Sequence, residues 1–214
     1  MGRAQHPEGR ARGSLRERGR GSAQAGSNYA RLSREATSEA ALSRFIQELT
    51  LWGERMNLVG STDPAAIARH VDDALAAVPH LDQGLSVVDL GSGAGFPGLP
   101  IAISRRDLRV SLVEIREKRV AFLRHVARAL TLEVDILRRS IEAPAPKRFD
   151  RVLLRAVAHP ERSAELGRGW VSEGGEIWVW AGPGVERPDA RSIPLASGGA
   201  ILRIPAAAVS RGTD

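Results

Sequence analysis

Apolar residues first settle into a helical rhythm at Leu42, Phe45, Ile46, Leu49 and Trp52, which predicts an amphipathic helix over about 38–53 with Ser38 as its cap. Asp63-Pro64 opens a second helix, with proline in a first-turn position where a missing N–H costs nothing. Its apolar line runs through Ile67, Val71, Ala74 and Leu75 toward Val78-Pro79. Beyond this point short apolar runs alternate with helical stretches. Strands are predicted at 85–90, 109–115, 132–137, 150–156 and 176–180, with a sixth at 200–204. Helices are predicted between them at 99–104, 117–130 and 161–171. That order is the pattern of a doubly wound α/β sandwich with a mostly parallel sheet, here preceded by an N-terminal helical cap. The expected division is a basic tail over 1–36, the cap over 37–84 and the α/β domain over 85–214.

The first strand runs into Val88-Asp89-Leu90-Gly91-Ser92-Gly93-Ala94-Gly95-Phe96-Pro97-Gly98. A glycine-rich turn between a strand and a helix is a nucleotide-cofactor device, but a weak signal alone. A dinucleotide fingerprint counted from Gly91 fails at Phe96; counted from Gly93 it succeeds, but sets Pro97 where a helix would be under way. No phosphate-loop lysine follows the glycines. Asp89 is the discriminating residue. A carboxylate at the loop would repel a pyrophosphate in a low-dielectric cleft. It would help to hold the ammonium and sulfonium of S-adenosyl-L-methionine, which carries no phosphate.

Glu114 closes the second strand, where this fold class keeps an acid for ribose hydroxyls. Each acid also has a purely structural reading: Asp89 as a cap for the next helix, Glu114 as a solvated strand-end acid. Their joint placement favours the cofactor. The expected cofactor contacts are therefore Asp89, Gly91, Ser92, Gly93, Gly95, Phe96 and Glu114, with Glu142 after the third strand toward the adenine.

These residues carry a resemblance to the glucose-inhibited division protein B family, the bacterial 16S rRNA guanine-N7 methyltransferases. The likeness spans about 41–181. It rests on Leu51-Trp52, Met56-Asn57-Leu58, His70 with Asp73, the run from Val88 to Pro100, Lys118-Arg119-Val120, Phe122-Leu123 and Arg155-Ala156-Val157-Ala158. It implies a Rossmann-like class I methyltransferase fold and methyl transfer from S-adenosylmethionine to a guanine N7 of 16S rRNA in the small ribosomal subunit. Carried over by position, Gly91, Gly93 and Gly95 line the donor pocket and Glu114 takes the ribose. Ile141-Glu142 stands where a similar pair follows strand three, and Arg155 is the arginine facing the cleft; the resemblance adds Ile141 and Arg155 to the expected cofactor contacts. The chain departs at Gly53, where the family has asparagine, and at Ala181, where it has lysine.

Chemistry narrows the catalytic list. Guanine N7 offers a lone pair and carries no proton, so its methylation needs alignment rather than a general base. Arg155 and His70 are the catalytic candidates: Arg155 to stack on the base or hold a phosphate, His70 to touch substrate or cofactor. Their bland alternatives are an arginine paired with a nearby acid and a structural helical histidine. Phe96 is the best single stacking candidate, and Lys118, Arg119, Arg124 and Arg128 form a basic face that either tracks phosphates or is simply solvated.

Composition then excludes classes. The 214 residues include no cysteine, so disulfides, thiolate metal sites and a cysteine nucleophile are out. No run approaches the ~20 apolar residues of a membrane span. A cytoplasmic, monomeric protein without a metal is expected. The net charge of +6 suits a polyanionic partner, although six arginines against two acids in residues 1–30 concentrate it in a stretch too polar to fold. That stretch is either an RNA-tethering arm or a solvated extension. Competing functions are a methyltransferase with a small-molecule or protein substrate, a non-catalytic RNA- or ribosome-binding paralogue, and an NAD-dependent oxidoreductase, which Asp89 and Phe96 disfavour.

Overall fold

The computed structural model describes Met1 and residues 37–53, 58 and 60–206. Contacts divide the chain into Met1–Thr37 and Ser38–Asp214, and the sheet lies in the second unit. The basic stretch expected over 1–36 lies, Met1 apart, outside the described residues, as do Met56 and Asn57.

Residues 37–53 are helical (α1). Ser38 is inside this helix rather than capping it, and its hydroxyl donates to the Ile103 carbonyl at 3.5 Å. Asp63 caps α2 (Pro64–Leu75) by accepting from the Ala65 and Ala66 N–H groups, which satisfies two of the first-turn donors. A single 3-10 turn, Val78–His80, follows.

The remaining elements are β1 (Ser86–Leu90), α3 (Gly98–Ser104), β2 (Arg109–Glu114), α4 (Glu117–Ala129), β3 (Val134–Arg138), β4 (Phe149–Arg155), α5 (Pro160–Arg168), β5 (Val171–Ala181), β6 (Arg191–Pro194) and β7 (Ala200–Pro205). The seven strands lie in the order β3-β2-β1-β4-β5-β7-β6. The first five are parallel, while β7 runs antiparallel to β5 and β6 antiparallel to β7. The chain winds outward from β1 in both directions. The gap beyond the ends of β1 and β4 is thus the switch point where ligands bind in open α/β sheets.

Period-two alternation splits the strands between two cores. Val87, Leu112, Leu153, Trp178 and Ile201 face a cluster with Phe45, Leu49, Ile67, Leu99 and Phe122, so α1 to α4 share one core. Val88, Leu90, Val152, Ile177 and Leu202 face the opposite cluster, covered by Ala164 of α5 and by Trp170. Fully burying a large apolar side chain contributes about 1.5–3 kcal/mol, so both faces hold the sheet.

The helix predicted over 161–171 stops at Arg168, and β5 begins at Val171, well before residue 176. The added stretch of β5, which includes Gly174-Gly175, takes up a shift in register against β4. The hairpin strand β6 was missed because it is four residues long and buries only Ile193.

Candidate active site

Alternation along β1 puts Asp89 on the α3 side of the sheet, in register with Leu112 and Leu153. The carboxylate is completely buried. Its Oδ2 accepts the N–H of Gly98, the first residue of α3, at 3.0 Å, while Oδ1 has no hydrogen-bond partner among the described residues. Burial pushes its pKa up to about 7, against the opposing pull of the Gly98 N–H. Gly98 leaves the needed room: a Cβ there would stand 2.4 Å from Leu112 Cδ2 and 2.8 Å from Asp89 Oδ2. Asp89 therefore does cap the following helix, and it also keeps one carboxylate oxygen unengaged.

The loop between them is drawn onto β2. The Gly91 and Ser92 N–H groups both donate to the Val113 carbonyl, at 2.8 and 3.0 Å. Ser92 Oγ is spent inside the loop, donating to the Asp89 carbonyl. Gly95 has φ +95°, and a Cβ on it would meet Leu99 Cδ1 at 2.3 Å. A side chain is excluded there by both conformation and space.

Glu114 is not a solvated acid. It is 4% exposed, with Oε2 accepting the Gly93 N–H at 3.0 Å and Oε1 the Arg116 N–H at 2.8 Å. Arg119 of α4 approaches Oε2 at 3.7 Å, so this cation of the basic face turns inward to the loop. One carboxylate thus ties the glycine loop, the end of β2 and the start of α4 together.

A second group of residues gathers where β4 ends. Arg155 donates from Nη1 to the His70 carbonyl at 3.0 Å, and its Nη2 lies 2.7 Å from His70 Nδ1 and 3.4 Å from Asp73 Oδ2. Its guanidinium also sits over the Phe96 ring, 5.5 Å from the centroid. Arginine can only donate, so His70 Nδ1 accepts and the ring is the neutral Nε2–H tautomer. Burial, reinforced by the Arg155 charge, holds the His70 pKa below its ordinary value. Phe96 is 9% exposed and meets Phe45 and His70 edge-on, at 5.4 and 5.7 Å between centroids. Trp180, at the end of β5, donates from Nε1 to the Asp73 carbonyl at 3.0 Å.

The structure thus joins His70, Asp73, Phe96 and Arg155, with Asp89 close enough for its charge to act on Arg155. It joins Gly93 to Glu114 separately. Ile141 and Glu142 follow β3, but the exposed Glu142 carboxylate pairs with Arg162 at 3.3 Å, and the Ile141 carbonyl accepts from Trp170. Trp180 was not foreseen: an aromatic residue in an apolar strand carries no sign of a polar partner 107 residues away. Among the described residues no group of three or more His, Asp or Glu side chains is set to hold a metal.

The family model described as rRNA small subunit methyltransferase G (GidB) matches residues 38–187. The chain belongs to this family. A ribosomal RNA small subunit methyltransferase G from Anaeromyxobacter sp. (strain Fw109-5) is 36% identical over 168 residues, covering 76% of this chain and 78% of that protein. Its namesake from Chromobacterium violaceum is 34% identical over 144 residues, covering 66% and 69%. Among solved structures, the mitomycin 7-O-methyltransferase superposes with a TM-score of 0.55 at 18% identity, over 74% of this chain and 59% of that one. A T. thermophilus 16S rRNA N2 methyltransferase, in complex with AdoMet and guanosine, gives 0.51 at 20% identity, over 69% and 44%. Both likenesses bear on the fold, which is that of the class I methyltransferases. No described helix is long and apolar enough to cross a membrane.

Proposed function

We propose that this member of the rRNA small subunit methyltransferase G family uses S-adenosylmethionine to methylate N7 of a guanine in 16S rRNA, working in the cytoplasm as a monomer on the small ribosomal subunit. The observation that carries the reading is a glycine loop seated between two buried carboxylates, one of which keeps an oxygen without a partner. A phosphate-free, cationic donor complements such a loop, whereas a pyrophosphate would meet the Asp89 carboxylate. Asp89 with the backbone of Gly91, Ser92, Gly93 and Gly95 would hold the amino-acid end of the donor. Glu114 would hold its ribose, and Ile141 and Glu142 would flank its adenine. When bound, the donor supplies an electrophilic sulfonium methyl.

The chain's own residues then have a positional task. The guanine must leave its stack or be unpaired already. Arg155, locked by His70 and Asp73, presents its guanidinium over Phe96 at the rim of the switch point, where it orients the base. With Nδ1 committed to Arg155, the exposed His70 offers Nε2–H to substrate. Methylation leaves positive charge on the base, and the carboxyl groups of Asp73 and Asp89 offset both that charge and the Arg155 cation. No group has to accept a proton.

The test is transfer of labelled methyl from S-adenosylmethionine to 30S subunits that lack the modification. Label at a guanine N7 is expected. RNA that stays unlabelled, despite donor binding by calorimetry, would refute the substrate. One observation favours a second reading, a methyltransferase of this fold with another substrate: Ala181, buried at the end of β5, stands where a lysine is expected. Label appearing only in protein or small molecules would select it.

A further inference from the structure

We infer that the outer face of α4 is a docking track for the phosphate backbone of the substrate RNA, leading away from the catalytic cleft along the β3 edge of the sheet. The inference rests on the rRNA reading above and extends it to a surface outside the cofactor site.

Residues 1–36 hold eight arginines against three acids, so only +1 of the net charge of +6 belongs to residues 37–214. Against that near-neutral background Arg116, Lys118, Arg124 and Arg128 are all exposed, and none forms an ion pair with another described residue. The one acid of α4, Glu117, is neutralised by Arg138 of β3 at 3.2 Å. The other polar side chains that could carry charge on α4 face elsewhere: Arg119 pairs with Glu114, and the His125 ring lies 2.8 Å from Glu48 of α1. What remains is a stripe of unneutralised cations about 15 Å long from Lys118 to Arg128.

Two features argue that the stripe is for a ligand. Arg116 and Lys118 stand at the N-terminus of α4, the positive end of its dipole, where cations weaken a helix. Glu117, between them, is the one first-turn residue whose charge suits that end. At the other end Arg124 and Arg128 flank an open groove of about 560 Å³ along β3, lined also by Ala127, Leu132, Val134 and Ile136. β3 is one of the two edge strands, so among the described residues no strand pairs with it on this side. Glu133 is the one acid among the described residues that line the groove. The stripe starts beside Glu114, at the mouth of the proposed donor pocket, so RNA lying on it would be continuous with a base entering the cleft.

The experiment uses the full chain, 30S subunits lacking the modification, and the R124Q/R128Q double variant. Losing two phosphate contacts should raise the KM for 30S roughly tenfold at 0.1 M salt and lower the slope of log affinity against log salt by about 1.4–1.8. Turnover at saturation, donor affinity and melting temperature should stay at wild-type values. Glu133→Lys should act oppositely, lowering KM and steepening the slope. Wild-type KM and salt slope in both variants would overturn the track while leaving the rRNA reading intact. A wild-type protein that puts no methyl into 30S would overturn both.

Discussion

Replacing Asp89 by asparagine should make the donor-free protein more stable at pH 8 while leaving it unchanged at pH 4. The carboxyl is completely buried, and its pKa rises from 3.8 to about 7 because burial penalises the charged form. Unfolded, it titrates near its ordinary value. Between the two pKa values the folded chain holds a proton that the unfolded chain releases. Stability from this group is therefore full below about pH 4 and is lost as pH rises toward 7. A shift of about 3 units at 1.36 kcal/mol each sets a ceiling of about 4 kcal/mol on the loss. Asparagine has the shape of the neutral acid and can still accept the Gly98 N–H, so it escapes the loss. For a chain of this size 1 kcal/mol moves the melting temperature by about 2–4 °C, which puts the expected gain at pH 8 at up to about 8–16 °C. Melting curves of both proteins from pH 4 to pH 8 measure it, and taking their difference cancels every other titrating group. A cationic donor should draw the proton off Asp89, so calorimetry in buffers of differing ionisation enthalpy should detect proton release near pH 7. The variant should bind the donor more weakly. A stability difference that is the same at every pH, or a wild type more stable than the variant at pH 8, would refute the buried-acid reasoning.

The same reasoning extends to the other anchors. Glu114→Gln keeps one acceptor where two backbone N–H groups need one each; losing a charge-assisted bond worth about 1.5–3 kcal/mol should weaken donor binding by about tenfold or more. Calorimetry checks this, and an unchanged affinity would leave Glu114 as loop scaffolding only. Arg155→Lys cannot reproduce the fork to His70 and Asp73, so turnover on 30S should fall about tenfold or more while donor affinity stays within about threefold. Equal losses in both would place Arg155 at the donor rather than at the base.

Much of the molecule is legible in local pattern. The alternation of apolar strands and helices from Leu85 onward announces the doubly wound sheet. The run from Asp89 to Pro100 and the strand-end Glu114 mark the proposed cofactor loop, because the main-chain constraints on a loop of that kind are met by glycine and little else. Local pattern fails where a residue's meaning depends on a distant partner. The strand predicted over 176–180 begins at Val171, since the deciding neighbour is β4, against which its first residues shift register. Arg119 reads as part of a basic face and is turned to Glu114.

Asp89 illustrates the division best. Its residue type and position before the glycines, read from the chain alone, argue for a cationic donor. That one of its oxygens is held by Gly98, the other left without a partner and the whole group sealed from water depends on α3 folding back over β1. The same holds for the cluster of His70, Asp73, Arg155 and Trp180, whose members come from α2, β4 and β5 and meet only because the sheet order sets β1, β4 and β5 side by side. Element type and chemical repertoire follow from short-range periodicity and backbone sterics. Protonation, partnership and exposure follow from which surfaces the fold presses together, and no short stretch of sequence contains that.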